Sequence, residues 1–262
     1  MGVNALKGPM PTQIKVAWHQ LGKVTKTEQK DSEFILHTEA NGEKVKLYLT
    51  FPKEGGFRLR TDLKGVFDST ENKKIKYSGV SPVRMTAGDT IIEYSSKSSD
   101  WSLIVKNSSD KRVLSLTNKQ IAFGFQGKEL KKVRLEAAIS PGETLYGTGE
   151  RYNTFNQVGN KLMLWNIETM YHNSWNDPDF PTDRSASYKN VPLIHSSRGY
   201  TLFFNSTYCC NADLGATNKN KYSLDFSGPK FDFYVWTNSA LENIQGYTAL
   251  TGRPFLPPKW AF

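Results

Sequence analysis

Cysteine is almost absent from this 262-residue chain, whose two cysteines, Cys209 and Cys210, are adjacent. Neighbouring residues of a strand point to opposite faces, and a disulfide between them would be strained. The sequence therefore excludes a disulfide framework. One thiol is expected to face the core as a small apolar group. No histidine lies beside either cysteine in the sequence, which argues against a cysteine nucleophile.

Long apolar runs and the common catalytic fingerprints are also missing. No segment approaches the roughly 18 apolar residues of a membrane-spanning helix, and residues 1–10 lack the apolar core of a signal peptide. The sequence contains no P-loop, no dinucleotide fingerprint and no Gly-x-Ser-x-Gly elbow. We expect a soluble protein, in the cytoplasm rather than secreted, although a removed signal peptide would leave the same sequence.

Metal-ligand spacing is absent among the four histidines, His19, His37, His172 and His195. We therefore predict neither a metal site nor a cofactor. The net charge is +9, from 34 Lys and Arg against 25 Asp and Glu. These basic residues are scattered in short clusters, whereas a nucleic-acid footprint concentrates them on one face. We interpret the charge as a solvated surface and predict no nucleic-acid or membrane partner.

Alternation of apolar and polar residues, the period of half-buried strands, dominates what is present. Asn41-Gly42 and Ser227-Gly228-Pro229 supply turn chemistry between such segments. Many short strands at intervals of about ten residues favour an all-β antiparallel sandwich over alternating strands and helices. The predicted strands include Val45–Phe51, Thr90–Ser95, Trp101–Val105, Val113–Thr117, Leu130–Ile139, Lys161–Asn166, Tyr200–Asn205, Tyr222–Phe226 and Lys230–Trp236.

One helix is predicted near the C-terminal end. Ser239-Ala240-Leu241-Glu242 matches a capping box, in which the Ser hydroxyl and the Glu carboxylate each accept from the other's backbone N–H. Leu241 and Ile244 follow at helical spacing, Gly252 sits where a helix ends, and Pro254 prevents continuation. A helix after a β-sandwich that leads into Pro257-Pro258 suggests a connection to another domain.

The segment from Tyr152 to Ser187 has little periodicity and is rich in Asn, Asp, Trp, Tyr and Pro. Long irregular loops are usually functional or disordered, and disorder depletes aromatics, so an ordered functional loop is favoured. Its carboxylates Asp177, Asp179 and Asp183 do not fit a calcium loop, because prolines interrupt the pattern and the closing Glu is missing. A catalytic pair on one loop is also a poor fit, since the two groups must flank the scissile bond.

Four motifs follow one another in the sequence: Tyr146-Gly147-Thr148-Gly149-Glu150-Arg151, Trp175-Asn176-Asp177-Pro178-Asp179-Phe180, Ser187-Tyr188-Lys189-Asn190-Val191-Pro192-Leu193 and Thr251-Gly252-Arg253-Pro254-Phe255-Leu256-Pro257-Pro258-Lys259-Trp260-Ala261-Phe262. This ordered set of motifs resembles the N-terminal domain of glycoside hydrolase family 31, the α-glucosidase, α-xylosidase and α-transglucosylase family. The last motif leads, in that family, into the first strand of a (β/α)8 barrel.

The resemblance implies a galactose-mutarotase-like β-sandwich over residues 1–238, with a substrate-side loop at about 167–187. Residues 239–262 would form the helix and linker into a catalytic barrel that this chain does not contain. The resemblance also implies a retaining α-glycosidase acting on α-linked gluco-oligosaccharides. Its catalytic aspartates would lie in that barrel, so no residue of this chain is predicted to be catalytic and the isolated chain is expected to be inactive.

Three residues are predicted to contact the sugar. Asp177 occupies the acidic position of the loop and would bind a hydroxyl, and Trp175 would stack on a pyranose ring, unless it anchors the loop to the sandwich. Tyr188 matches a tyrosine that in relatives lies near the −1 and +1 subsites, and its alternative role is that of an ordinary aromatic at the start of a strand. The Tyr146–Arg151 motif is expected to be structural, with Gly147 and Gly149 permitting a tight turn or a close backbone approach.

Other functions fit the same pattern. An α-transglucosylase would share the first, glycosyl-enzyme step, and a stand-alone carbohydrate-binding β-sandwich would need no barrel. A mutarotase would need catalytic His and Glu on the concave face of the sandwich, which the scattered histidines disfavour.

Overall fold

The structure is a computed structural model that describes residues 14–61, 71–151, 153–166, 187 and 189–261. Nearly all regular structure in these residues is β, and none of their helices is long and apolar enough to span a membrane. The strands are β1 (Ala17–Gln20), β2 (Lys26–Gln29), β3 (Glu33–Ala40), β4 (Glu43–Thr50), β5 (Phe57–Thr61), β6 (Lys76–Ser78), β7 (Val83–Ala87), β8 (Thr90–Lys97), β9 (Asp100–Lys106), β10 (Arg112–Thr117), β11 (Ile121–Gln126), β12 (Glu129–Ala138), β13 (Leu145–Gly149), β14 (Lys161–Leu164), β15 (Asn190–Ser196), β16 (Tyr200–Phe204), β17 (Cys210–Asp213), β18 (Lys221–Ser227) and β19 (Asp232–Trp236).

The strands of the described residues form three sheets. The first has the order β1-β11-β12-β18-β17-β14, the second β13-β15-β16-β19-β5-β4-β3-β2, and the third β10-β9-β8-β7-β6. Every pairing between these strands is antiparallel. Asn41 and Gly42 form a two-residue hairpin turn with φ of 53° and 74°, the conformation that Asn-Gly favours. The predicted all-β antiparallel sandwich is confirmed.

Aromatic packing joins the six-stranded and eight-stranded sheets. Phe204 of β16 stacks on Phe226 of β18 with ring centroids 3.8 Å apart, and Phe231 meets Phe204 edge-on at 5.9 Å. All three rings are almost fully buried. Aromatic pairs contribute both buried area and preferred ring geometry, so this cluster fixes how the two sheets face each other.

Both cysteines are buried and unpaired. Cys210 lies in the main hydrophobic core, as expected for one of the two thiols, and Cys209 is buried beside it. Burial raises the pKa of Cys209 to about 11 and raises that of Cys210 well above its usual range. Both thiols are therefore protonated at neutral pH, which leaves neither with the thiolate that nucleophilic chemistry needs.

The predicted helix, α1, covers Ala240–Thr251, with Ser239 as its N-cap, both hydrogen bonds of the capping box present, and Gly252 at its C-cap with φ 93°. The face it buries is not the Leu241 and Ile244 stripe, whose side chains are 67% and 41% exposed. The helix instead buries the face that carries Gly246, which packs directly on Trp236. A side chain at position 246 would overlap Trp236, so this packing requires a glycine. The missing side chain brings the helix close against the outer face of the eight-stranded sheet.

A buried ion pair connects β5 and β19. Arg58 donates to both carboxylate oxygens of Asp232, at 2.7 and 2.8 Å, and the two side chains are 2% and 0% exposed. The Nδ2 group of Asn205 also donates to this carboxylate, at 2.9 Å. Because the pair is bidentate and has a further donor, each charge is compensated despite its burial.

Replacing Asp232 by Ala should lower the free energy of unfolding by about 3–5 kcal/mol, because it leaves the Arg58 guanidinium buried without its carboxylate. Urea denaturation of the 262-residue chain measures this. The control is Asp100→Ala, which breaks the exposed Lys119–Asp100 pair and should leave the stability nearly unchanged. Equal losses in the free energy of unfolding would show that the buried pair stabilises the fold no more than the exposed pair does.

Candidate functional site

The predicted sugar-contacting residues Asp177, Trp175 and Tyr188 lie outside the described residues, as does segment 167–186. The structure does describe the base of this segment. Asn166 and Ser187, which flank it, form a parallel β-bridge. The two ends of a 20-residue segment therefore meet at one place on the sandwich.

The side chain of Asn190 holds this base together. Its Nδ2 lies 2.8 Å from the backbone oxygens of Trp165 and Ser187, and 2.9 Å from Oδ1 of Asn166. The backbone N–H of Asn190 also donates to Oδ1 of Asn166, at 2.9 Å. One amide group thus bonds to both ends of the loop.

Arg151 reaches the same amide from the Tyr146–Arg151 motif. Its Nη2 donates to Oδ1 of Asn190 at 2.5 Å and to the backbone oxygen of Thr148 at 3.0 Å, while its Nε donates to Oγ1 of Thr148. Glu150, the other charged residue of the motif, lies 3.7 Å from Nζ of Lys189. The motif therefore contacts the start of β15, the strand that follows the loop.

The glycines of this motif are required by the backbone. Gly147 and Gly149 have φ of 106° and 90°, and a side chain at either position would overlap the backbone oxygen of Leu193 or Lys189 on the neighbouring strand. The expected close backbone approach is confirmed. This close approach of the two strands places Arg151 within hydrogen-bond distance of Asn190. The glycines of the motif thus allow Arg151 to contact the base of the loop.

Histidines and metal ligands offer no competing centre in the described part of the chain. His37 bonds Glu28 at 2.8 Å, and His195 bonds Oγ1 of Thr201 at 2.8 Å. His19 shares a surface groove with Glu39 and Glu136, without a hydrogen bond to either among the residues described. Within those same residues, no three His, Cys, Asp or Glu side chains converge as a metal site requires.

Comparison with known proteins identifies the family. The glycosyl hydrolase 31 N-terminal galactose mutarotase-like domain matches residues 46–213, more than half of the chain. The chain belongs to this family.

Its curated relatives include glycosidases and a transferase. The chain is 30% identical to an α-xylosidase of Emericella nidulans over 128 residues, 48% of this chain and 15% of the relative. It is 31% identical to an isomaltosyltransferase of Sporosarcina globispora over 155 residues, 56% and 13%. It is 29% identical to an α-glucosidase of Saccharolobus solfataricus over 137 residues, 50% and 18%.

A solved structure shares the fold over nearly the whole chain. The cycloalternan-forming enzyme of Listeria monocytogenes, solved with a pentasaccharide substrate, superposes with a TM-score of 0.79 at 22% identity. The match covers 98% of this chain and 24% of that one. The chain thus spans less than a quarter of the length of these larger proteins.

Replacing Asn190 by Ala should loosen the base of the loop, because it removes donors to Trp165, Asn166 and Ser187 and the acceptor of Arg151. We expect about 1–3 kcal/mol of lost stability and faster limited proteolysis within segment 167–186. Mass spectrometry of the fragments measures the second effect. Asn218→Ala, which alters only a turn hydrogen bond to Asn220, is the matched control. Unchanged cleavage in the Asn190 variant would contradict the assigned role.

Proposed function

We propose that the chain is the N-terminal part of a retaining α-glycosidase that acts on α-linked gluco-oligosaccharides, and that it contributes the loop at about 167–187 to the substrate site. Membership of family 31 supports the reaction class, and relatives named α-glucosidase and α-xylosidase support the substrate class. The observation that carries the role of the loop is its clamped base, where Asn190 bonds both ends. Such clamping suits a loop that must present side chains in one geometry.

Within this loop, Asp177 is proposed to bind a sugar hydroxyl and Trp175 to stack on a pyranose ring. Tyr188 is proposed to lie near the −1 and +1 subsites, two residues from the clamp at Asn190. A carboxylate that binds a hydroxyl more strongly in the transition state lowers the barrier to reaction. The loop would therefore select substrate, while catalytic aspartates elsewhere in the polypeptide perform the chemistry.

The partner proposed for the C-terminal segment is the catalytic barrel of the same polypeptide. Leu241 and Ile244 on α1, and Phe255, Leu256 and Trp260 after it, are all exposed large apolar side chains. The last three side chains are 83%, 84% and 85% exposed. Several exposed large apolar side chains within one short stretch of sequence support an interaction with a partner. We accordingly propose a sandwich over residues 1–238, followed by a helix and linker over residues 239–262 that lead into the barrel.

An α-transglucosylase is the alternative that the isomaltosyltransferase relative favours. Retaining enzymes form a covalent glycosyl-enzyme intermediate, and the outcome depends on whether water or a sugar hydroxyl attacks it. A stand-alone carbohydrate-binding β-sandwich is the alternative from another class. It would bind sugars without a barrel, and it would leave the exposed apolar side chains on and after α1 to a different partner.

Asp177→Ala in the enzyme that joins this chain to a barrel should lower kcat/KM on oligosaccharides roughly ten- to hundredfold, because a charged hydrogen bond contributes about 1–3 kcal/mol. The melting temperature should change little, since a loop carboxylate supports few core contacts. Steady-state kinetics and calorimetry measure the two effects.

Asp89→Ala, at an exposed carboxylate in the turn between β7 and β8, is the control and should leave both quantities unchanged. An unchanged kcat/KM with a melting point several degrees lower in the Asp177 variant would make Asp177 a structural residue. The isolated 262-residue chain should not hydrolyse an aryl α-glucoside. Turnover that is lost in the Asp177 variant of the isolated chain would contradict the placement of the catalytic groups outside it.

A further inference from the structure

A cavity of about 410 Å³ is lined by residues near the ends of β14, β16 and β18 and at the start of β15. Its floor consists of buried apolar side chains, among them Leu164, Phe203 and Phe226. Trp165 and Tyr208 line its more exposed parts, and Tyr208 is 49% exposed. This volume falls within the range of small-molecule sites, which are mostly apolar with a few polar groups.

Charge is absent from the described lining of this cavity. That is informative in a chain of which 23% is Asp, Glu, Lys or Arg. The larger groove beside the β3–β4 hairpin, about 470 Å³, is lined by Arg134, Glu136 and Lys119. The polar groups of the neutral cavity are amides and hydroxyls, which recognise uncharged hydrogen-bonding ligands without selecting for charge.

Several of these polar groups are available to a ligand. Within the described residues, Oη of Tyr208, Nδ2 of Asn166 and Oγ1 of Thr207 make no hydrogen bond, whereas Asn205 uses its Nδ2 on Asp232 and keeps its Oδ1 as an acceptor. Donors and acceptors thus lie beside aromatic rings. A purely apolar ligand would leave these groups without partners, which would cost binding energy.

The ring of Tyr208 packs against the backbone at Gly228. Gly228 has φ 100°, and a side chain at this position would come within 2.7 Å of three ring atoms of Tyr208. The ring therefore lies flat against a glycine while half of the side chain remains exposed. Packing of one ring face on Gly228 limits the orientations of the ring, which reduces the conformational entropy lost when a ligand stacks on it.

We propose that this cavity binds one glycosyl unit of a neutral saccharide, with the apolar face of the sugar on Tyr208 or Trp165 and its hydroxyls on the amides and hydroxyls of the lining. Neutral sugars combine an apolar ring face with many hydroxyls, which matches a lining of aromatics and uncharged polar groups. The site belongs to this chain and does not depend on the proposed catalytic activity, so it would bind sugar in the absence of a barrel.

Saturation-transfer NMR on the 262-residue chain, with maltotriose and isomaltotriose as probes, tests this site. We expect saturable binding that changes little between about 50 and 500 mM NaCl, because the described residues that line the cavity carry no charge. Tyr208→Ala and Trp165→Ala should each weaken binding about tenfold, as expected for truncation of a central aromatic. Phe155→Ala is the matched control, since Phe155 is 83% exposed and does not line the cavity.

Binding that both lining variants weaken and the control leaves intact would support the proposal. Absence of binding, binding that survives both lining substitutions, or equal weakening by Phe155→Ala would overturn it. Thermal melts establish whether each variant is folded. If Tyr208→Ala is not folded, Tyr208→Phe replaces it. That variant loses only the hydroxyl contact and should weaken binding less than tenfold. The experiment measures sugar binding to this chain alone. A negative result would therefore not contradict the proposed glycosidase function, and loss of the glycosidase proposal would not contradict sugar binding in the cavity.

Discussion

The side-chain amide of Asn190 connects three parts of the chain that are distant in sequence: Arg151, the Trp165–Asn166 pair and Ser187. A primary amide suits this position because it offers two N–H donors and a carbonyl acceptor in one plane. A carboxylate could not donate to the backbone oxygens, and an aliphatic side chain could neither donate nor accept a hydrogen bond. This amide, together with the bridge between Asn166 and Ser187, joins the two ends of the proposed substrate loop to the sandwich.

The sandwich gives the amide a rigid support. Phe204 and Phe226 fix the two large sheets against each other, and the Arg58–Asp232 pair joins β5 to β19 beside them. Asn205 contacts the same buried carboxylate and also lines the neutral cavity. The core, the base of the loop and the cavity therefore share residues. A change in the packing of the sheets would shift the residues of the candidate site.

Much of the fold could be predicted from the sequence because its strands are half-buried. Val45, Leu47 and Leu49 alternate with polar residues in β4, and Trp101, Leu103 and Val105 do so in β9, as the burial of these strands confirms. Strand β5 is not among the predicted strands, although apolar and polar residues alternate from Phe57 to Arg60. Its alternation does not indicate a solvent-exposed face, because Arg60 is the one residue of the strand that is not buried. The buried Arg58 within it resembles a surface residue in sequence, and its ion pair with Asp232, 174 residues further along the chain, is a contact that no local pattern shows.

The candidate site was predictable in its motifs but not in its contacts. The Tyr146–Arg151 motif marks its glycines, yet nothing local shows that Arg151 reaches Asn190, which lies 39 residues further along the chain. For α1, the spacing of Leu241 and Ile244 indicated a helix correctly but not its buried face. That face is determined by the fit of Gly246 against Trp236, a contact between elements that periodicity does not encode.

Hydrogen exchange on the enzyme that joins this chain to its barrel tests the account most directly. A variant without the catalytic nucleophile would be compared with and without maltotriose, and exchange would be followed peptide by peptide. The account predicts added protection over the loop at about 167–190, with β3, β4 and the third sheet unchanged. Saturating sugar that protects the barrel but leaves this loop unaffected would contradict a role for this chain in the substrate site.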